Sequence, residues 1–359
     1  MDYETRQKRL LTSTDADAVA IIPGANMTYY TGLHFHLSER PTIALFTRNQ
    51  HGIIIPTLEI PVIQQRADLQ WQIFPWSDAD GFAGAFEQAI HTLGISSIAV
   101  DGQTMRVFEY LALKQGGAKT LIDIGKDLLH LRALKTEDEI QAMREAIQLS
   151  QAALDDLLQL IKPGMTERQI ADELNRLVKA HGSEGFAFEA LVQTGPNSGI
   201  PHGAVSDRVL QANELLLIDF GGKKHGYPAD ITRTFCIGEP TDEMRRIYDV
   251  VLAANQAAIA AVKPGVPASM IDKAARDVIQ NAGYGEYFIH RTGHGLGLEV
   301  HEMPQISSSN DAPLEIGMVF TIEPGIYLPH LGGVRIEDNV VVRADGAEVL
   351  TSYSYGLTI

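Results

Sequence analysis

Cysteine is almost absent from this chain: Cys236 is the only one in 359 residues. No intrachain disulfide can form, and the composition suits a reducing compartment. Basic charge is also scarce. Lys and Arg total 29 against 45 Asp and Glu, a formal net charge of −16, so nucleic acid and anionic membrane surfaces would repel the chain. No apolar run approaches the ~20 residues that span a bilayer. The first residues, MDYETRQKRLL, lack the apolar core of a secretory leader. Low-complexity segments are missing as well. What remains is 45% hydrophobic and 21% charged, ordinary for a globular protein and long enough for two cores. A soluble cytoplasmic protein, with neither nucleic acid nor membrane as partner, is expected.

Residues 1–132 read as an α/β domain, with strands expected at 18–23, 42–47, 51–56 and 97–102. Arg48-Asn49-Gln50 suggests a hairpin between the second and third. The boundary falls within 131–135, and a second domain covers 133–359. Thr136 and Glu139 have capping-box spacing. An amphipathic helix follows, with Ile140, Met143, Ile147, Leu154, Leu158 and Ile161 on its apolar stripe, and stops before Pro163-Gly164. This second domain carries a weak repeat. Pro163-Gly164 recurs at Pro264-Gly265, Asp219 aligns with Glu323, and His202 with His301, at offsets of 101, 104 and 99 residues. Near-equal offsets predict duplicated halves facing each other across a pseudo-twofold axis, with a groove between them. The expected fold class is α+β, an α/β domain followed by a duplicated one.

Five residues of the second domain read as one metal site: Asp219, Asp230, His294, Glu323 and Glu337. Alone, Asp219 would more commonly be a turn or cap residue, and Glu337 a solvated strand residue. Together they fall on two matching hairpins. The midpoint of Asp219 and Asp230 is 224.5, inside the Gly-Gly-Lys-Lys-His-Gly turn, which would set them opposite each other. Glu323 and Glu337 flank a loop centred at 330. His294 lies in Gly293-His294-Gly295, where glycines would let the backbone approach the metals. Four carboxylates and one imidazole suit two divalent first-row ions. The carboxylates would carry −4 and the ions +4, whereas metal-free carboxylates would repel and take up protons. Other motifs fail. Gly293-x-Gly295-x-Gly297 lacks nucleotide-loop spacing, Gly195-Pro196-Asn197-Ser198-Gly199 is no nucleophile elbow, and Cys236 reads as a core thiol.

At Ile218-Asp219-Phe220-Gly221, Asp230-Ile231-Thr232-Arg233-Thr234, Gly293-His294-Gly295, Glu323-Pro324-Gly325 and Arg335-Ile336-Glu337-Asp338, the chain resembles the pita-bread metallopeptidases. It is most similar to their Xaa-Pro group of aminopeptidase P and prolidase. The resemblance implies that Asp219 chelates one ion, that Asp230 and Glu337 bridge, and that His294 and Glu323 bind the other. Manganese is the expected metal, with cobalt, zinc or iron(II) as alternatives. By the same resemblance His202 and His301 touch substrate and stabilise the tetrahedral intermediate, Glu323 shuttles a proton, and His290 and Tyr327 support the site. Arg335, two residues before Glu337 and on the same strand face, would orient a ligand carboxylate. Expected substrates are short proline-containing peptides, and the expected assembly is a homodimer.

The alternatives differ in residues. Methionine aminopeptidases usually lack the N-terminal domain, creatinase does not keep the metal cage, and a non-catalytic peptide-binding module should have lost ligands. Between the two Xaa-Pro activities, aminopeptidase is slightly favoured over dipeptidase. Similar prolidases often place an arginine just after the His-Glu pair, where this chain has Gln305. Arg40, in a loop rich in aromatic and imidazole groups, is the expected substitute anchor for a short peptide's carboxylate.

Overall fold

A computed structural model describes residues 2–359, and the chain divides into two units, Met1–Arg132 and Ala133–Ile359. Among the described residues no helix is long and apolar enough to cross a membrane.

The first unit is built on a six-stranded mixed sheet. Its order is Gln72–Trp76, Gly52–Pro56, Ile43–Thr47, Ala18–Ile21, Ser97–Val100 and Thr120–Asp123. The four inner strands are the four that the apolar runs predict. Helices cover the sheet, so Val19, Ile43, Ile54 and Ile98 are fully buried, and such strands read as nearly continuous apolar segments. The hairpin through residues 48–50 is present, with Leu45 paired to Gly52. The two edge strands carry mixed or exposed residues and leave no such signal.

In the second unit Thr136 and Glu139 cap the helix Glu137–Leu158 reciprocally, with Glu139 Oε2 accepting from the Thr136 amide at 2.9 Å. That helix ends at Leu158, and Ile161 packs on the core from the following loop. The helix Glu167–Ala180 comes next, and both lie on the antiparallel sheet Ile231–Cys236, Leu215–Phe220, Leu191–Thr194. Ile147, Leu154, Leu174, Leu216 and Ile218 form their shared core. The pattern repeats. Helices Asp242–Ala261 and Ala268–Asn281 pack on a five-stranded antiparallel sheet through Ile247, Val251, Ile271, Phe320 and Val340. Cys236 is buried in this second core.

The two hairpins that carry the acidic residues differ in how well spacing foretells their register. Asp219 pairs with Thr232, not with Asp230. The reason is the turn: His225 and Gly226 have φ of 52° and 80°, and positive φ at both central residues makes a two-residue turn flanked by the Lys224–Tyr227 pair. The hairpin therefore centres one residue later than the midpoint of the aspartates. Asp230 lies two residues before Thr232, on the same face and diagonal to Asp219. In the other hairpin Ile322 pairs with Asp338 and Gly325 with Arg335, so Glu323 and Glu337 do fall opposite each other. The hairpins are joined directly. The Glu337 amide donates to Thr232 O at 3.1 Å, and the Arg335 amide to Thr234 Oγ1 at 3.1 Å.

His294 sits on Gly293–Gly295, a strand between Glu302–Ile306 and Val319–Ile322. The glycines beside it serve strand packing. A Cβ on residue 293 would stand 1.9 Å from Thr321 O, and one on residue 295 would stand 2.1 Å from Met303 O. Gly293→Ala should consequently lower the urea midpoint by the equivalent of ~1–3 kcal/mol or more, whereas removing the cap in Thr136→Ala should cost ~1 kcal/mol. An unchanged midpoint for Gly293→Ala would show that the strand can shift to admit the methyl group.

Candidate metal centre

Four of the five expected ligands stand near a strand end or at a break between strands, and the fifth, His294, is the middle residue of Gly293–Gly295, just before a register shift in its ladder. Asp219 is the fifth residue of Leu215–Phe220, and Asp230 immediately precedes Ile231–Cys236. Glu323 follows Val319–Ile322, and Glu337 fills the gap between Gly332–Arg335 and Asp338–Arg343. All five line one cavity of about 610 Å³, with His202, His290, Arg291, His301 and Arg335.

Asp230, His294 and Glu337 form its tightest part: each offers a ligand atom, all within 4.8 Å of one another. His294 Nε2 lies 3.3 Å from Glu323 Oε1 and 3.6 Å from Asp230 Oδ2. The other ring nitrogen of His294, Nδ1, is 3.2 Å from Gly295 O. A proton on Nδ1 leaves the Nε2 lone pair facing the carboxylates. Asp219 stands at the edge of this group, where Arg335 Nη2 donates to its Oδ2 at 2.6 Å. Its Oδ1 is buried and has no hydrogen-bond partner among the described residues.

The electrostatics are those of a site built for cations. Burial pushes the Asp230 carboxyl well above the usual range, and the charges of Glu337, Asp219 and Glu323 add to the shift. Glu337 is raised in the same way, by burial first and then by Glu323 and Asp219. Glu323 is pushed up to about 7, chiefly by burial, while Arg335 opposes the shift. Burial pulls His294 down to about 3, with His301 adding to the effect. An orphaned carboxylate oxygen, neighbouring carboxyls whose ionisation burial and like charge oppose, and a neutral imidazole are a donor set that divalent cations would satisfy.

Around the ligands lies a shell of directed hydrogen bonds. Thr232 Oγ1 donates to Glu337 Oε2 at 2.7 Å, and Thr321 Oγ1 to Glu323 Oε1 at 3.1 Å. Arg335 Nη1 donates to Tyr327 OH at 2.8 Å. That hydroxyl is 2.8 Å from His290 Nε2, and His290 Nδ1 is 2.7 Å from Arg291 O. The contacts form one directed chain: Arg335 to Tyr327, Tyr327 to His290, and His290 to the Arg291 carbonyl. Tyr327 is thus buried behind the cavity, while His202 and His301 are exposed at it. The His301 ring meets His294 edge-on, with centroids 4.2 Å apart. Burial, then the charge of Arg291, pulls the His301 imidazole below its ordinary value.

Arg40 is placed differently. It belongs to the first unit, where its Nε and Nη2 donate to Asp78 at 3.0 and 2.8 Å and its Nη1 to Glu39 at 3.2 Å. Its donors already have carboxylate partners. Sequence reasoning passed over Thr232, Thr321 and Arg291. The threonines were open to detection, since Thr232 is two residues from Asp230 and Thr321 two from Glu323, on the same strand faces. Arg291 had no such signal.

Comparison with known proteins places this geometry in a family. Residues 141–344 match Metallopeptidase family M24, and residues 5–134 match the Creatinase/Prolidase N-terminal domain. An uncharacterized peptidase of Staphylococcus epidermidis is 38% identical over 348 residues, covering 96% of this chain and 97% of that one. A solved Xaa-Pro dipeptidase from Bacillus anthracis superposes with a TM-score of 0.93 at 31% identity, over 100% of both chains. An X-Pro aminopeptidase from Thermotoga maritima gives 0.89 at 34% identity, over 99% of this chain and 100% of that one. With its buried Asp–His–Glu cluster and its N-terminal domain, this chain belongs to metallopeptidase family M24, in the group that contains the prolidases and Xaa-Pro aminopeptidases.

Proposed function

We propose that the chain is a dinuclear metal-dependent exopeptidase that hydrolyses the Xaa-Pro bond at the N-terminus of short peptides. The observation that carries this reading is the convergence of Asp219, Asp230, His294, Glu323 and Glu337 on one cavity. The Xaa-Pro preference is supported by the two solved neighbours, an Xaa-Pro dipeptidase and an X-Pro aminopeptidase. Bound divalent ions would supply Lewis acidity and bring the pKa of a coordinated water toward neutrality. Manganese best suits the oxygen-rich, thiolate-free donor set.

The chain's own residues supply the rest. Asp230 and Glu337, from opposed hairpins, would hold the ions together with Asp219, His294 and Glu323. Arg335 holds the Asp219 carboxylate in one orientation and is itself steadied by Tyr327. Thr321 orients Glu323, which would take a proton from the attacking water and return it to the leaving nitrogen. His202 and His301, exposed at the cavity, would donate to the scissile carbonyl as negative charge develops on it. Proline's tertiary amide offers no N–H, so recognition falls to the carbonyl and the shape of the cavity.

Aminopeptidase and dipeptidase activities divide on whether a carboxylate follows the proline. Gln305 in place of an arginine favours the aminopeptidase. One observation favours the dipeptidase: Gln305 is hydrogen-bonded to Arg291, which brings a guanidinium to the same spot.

Chelation should abolish hydrolysis of Xaa-Pro peptides and added Mn²⁺ or Co²⁺ should restore it; full activity in demetallated protein would defeat the dinuclear reading. Asp230→Asn should lose both metal and activity, because a neutral amide bridges two dications poorly. His301→Ala should keep its metal while kcat falls ~10²–10³-fold, the scale for losing one transition-state donor. The reverse pattern of metal loss would exchange these roles.

Metal-free protein should also respond to pH in a fixed direction. A carboxyl raised in the folded state binds more protons there than in the unfolded state, so stability falls as pH rises through its folded value. His294 and His290, lowered to about 3 and about 4, act oppositely, but only below their unfolded value of 6.5. Above 6.5 the carboxylates dominate. Thermal unfolding of demetallated protein should therefore fall in Tm from pH 6.5 upward, and excess Mn²⁺ should remove the decline. A Tm rising with pH in that window would contradict the electrostatics.

A further inference from the structure

The cavity contains two guanidinium groups with different commitments. Arg335 is fully engaged, by Asp219, Tyr327, Thr232 and the Pro201 carbonyl. Arg291 is half-buried. Among the described residues it forms one side-chain hydrogen bond, from Nη1 to Gln305 Oε1, and no ion pair with any carboxylate. A guanidinium has five N–H donors in a planar fork, so most of the fork is left for a ligand in a cavity it helps to line.

Its position is set by contacts of its neighbours on both sides. Arg291 follows His290, whose ring nitrogen grips its carbonyl. It precedes Thr292, whose amide and hydroxyl both donate to buried Asp272, at 3.1 and 2.8 Å. Gln305 lies across the ladder from His294, so its side chain projects from the same face of the sheet as that imidazole. The Gln305 amide is oriented by its own Nε2, which donates to Glu302 O at 2.9 Å. That leaves Oε1 for Arg291 and fixes the guanidinium over the cavity wall beside His294. A neutral acceptor here steers the arginine without neutralising it. A carboxylate at position 305 would have closed the fork.

We propose that Arg291 receives the C-terminal carboxylate of a short peptide substrate, through the donors that Gln305 leaves free. The inference rests on the Xaa-Pro peptidase reading and narrows its substrate class to peptides whose free C-terminus lies close to the scissile bond, with an Xaa-Pro dipeptide as the best fit. A bidentate carboxylate–guanidinium pair reads both charge and planar shape. A substrate amidated at that end offers neither the charge nor two equivalent acceptors.

The test compares an Xaa-Pro dipeptide with its C-terminal amide, using manganese-loaded full-length protein. Wild type should prefer the free acid by ~10- to 100-fold in kcat/KM, the range for a charge-assisted contact. Arg291→Ala should lose that preference, with the loss in kcat/KM on the acid exceeding any loss on the amide by ~10- to 100-fold and arising chiefly from a raised KM. Arg291→Lys should fall between the two, because a point charge replaces the fork. Proline should inhibit wild type more strongly than prolinamide, and Arg291→Ala should make the two equal. The amide is the internal control for folding. Equal loss on both substrates would make Arg291 a structural residue and overturn the inference, as would a wild type indifferent to amidation. Failure of wild type to cleave either substrate while it cleaves an Xaa-Pro-Yaa tripeptide would also overturn the inference, whereas failure on all three would overturn the Xaa-Pro reading itself.

Discussion

Asp230 and Glu337 are buried beside each other, with Asp219 and Glu323 at the margin, and this crowding of like charge is the constraint on which the catalytic unit turns. The cavity's cations do little to relieve it. Arg335 ion-pairs with Asp219, the carboxylate nearest the edge; of the innermost pair, Glu337 receives the Thr232 hydroxyl, and Asp230 is held through its main-chain amide, which donates to Asn339 Oδ1. Such a cluster is destabilising when ionised and becomes favourable only when protons or cations are added. The fold surrounding it therefore has to hold the carboxylates together against their repulsion.

It does so by duplication. One helix pair and its sheet present two aspartates from a hairpin; the second pair and its sheet present two glutamates and a histidine. Neither half alone has more than part of the donor set. The halves are tied by main-chain contacts at the ligands themselves, Glu337 N to Thr232 O and Arg335 N to Thr234 Oγ1. Buried Arg233 strengthens the seam. Its Nη2 donates to Asp338 Oδ1 at 2.7 Å and its Nη1 to the Glu337 carbonyl at 2.6 Å. A fully buried guanidinium is tolerated because its hydrogen bonds to Asp338 and the carbonyls replace water. The ligand loop is thus clamped from behind, and the acidic side chains can face the cavity without drifting apart.

Much of this was legible in the residues. The inner strands of the N-terminal sheet are apolar on both faces and could be read directly, as could the Thr136–Glu139 cap and the repeat of Pro-Gly motifs. Gln72–Trp76 and Thr120–Asp123 were not, because an edge strand needs no continuous apolar run. The Glu323–Glu337 opposition followed from spacing. The Asp219–Asp230 opposition did not, because the two-residue turn at His225-Gly226 moves the hairpin centre by one position. The glycines flanking His294 stand out in the sequence, but not the packing that requires them: they make room for the carbonyls of neighbouring strands. Arg291 was missed because its significance comes from Gln305, a partner across the ladder from His294 that a linear reading treats only as a missing arginine.

The central claim is that the four carboxylates and His294 are a cage for two divalent ions, and calorimetric titration of Mn²⁺ into demetallated protein tests it most directly. Carried out in two buffers of different ionisation enthalpy, the titration reports both stoichiometry and protons released. Two ions per chain, bound with net proton release near neutral pH, are predicted, because cations must displace the protons held by Asp230, Glu337 and Glu323. Binding of no ion, or binding without proton release, would contradict the account.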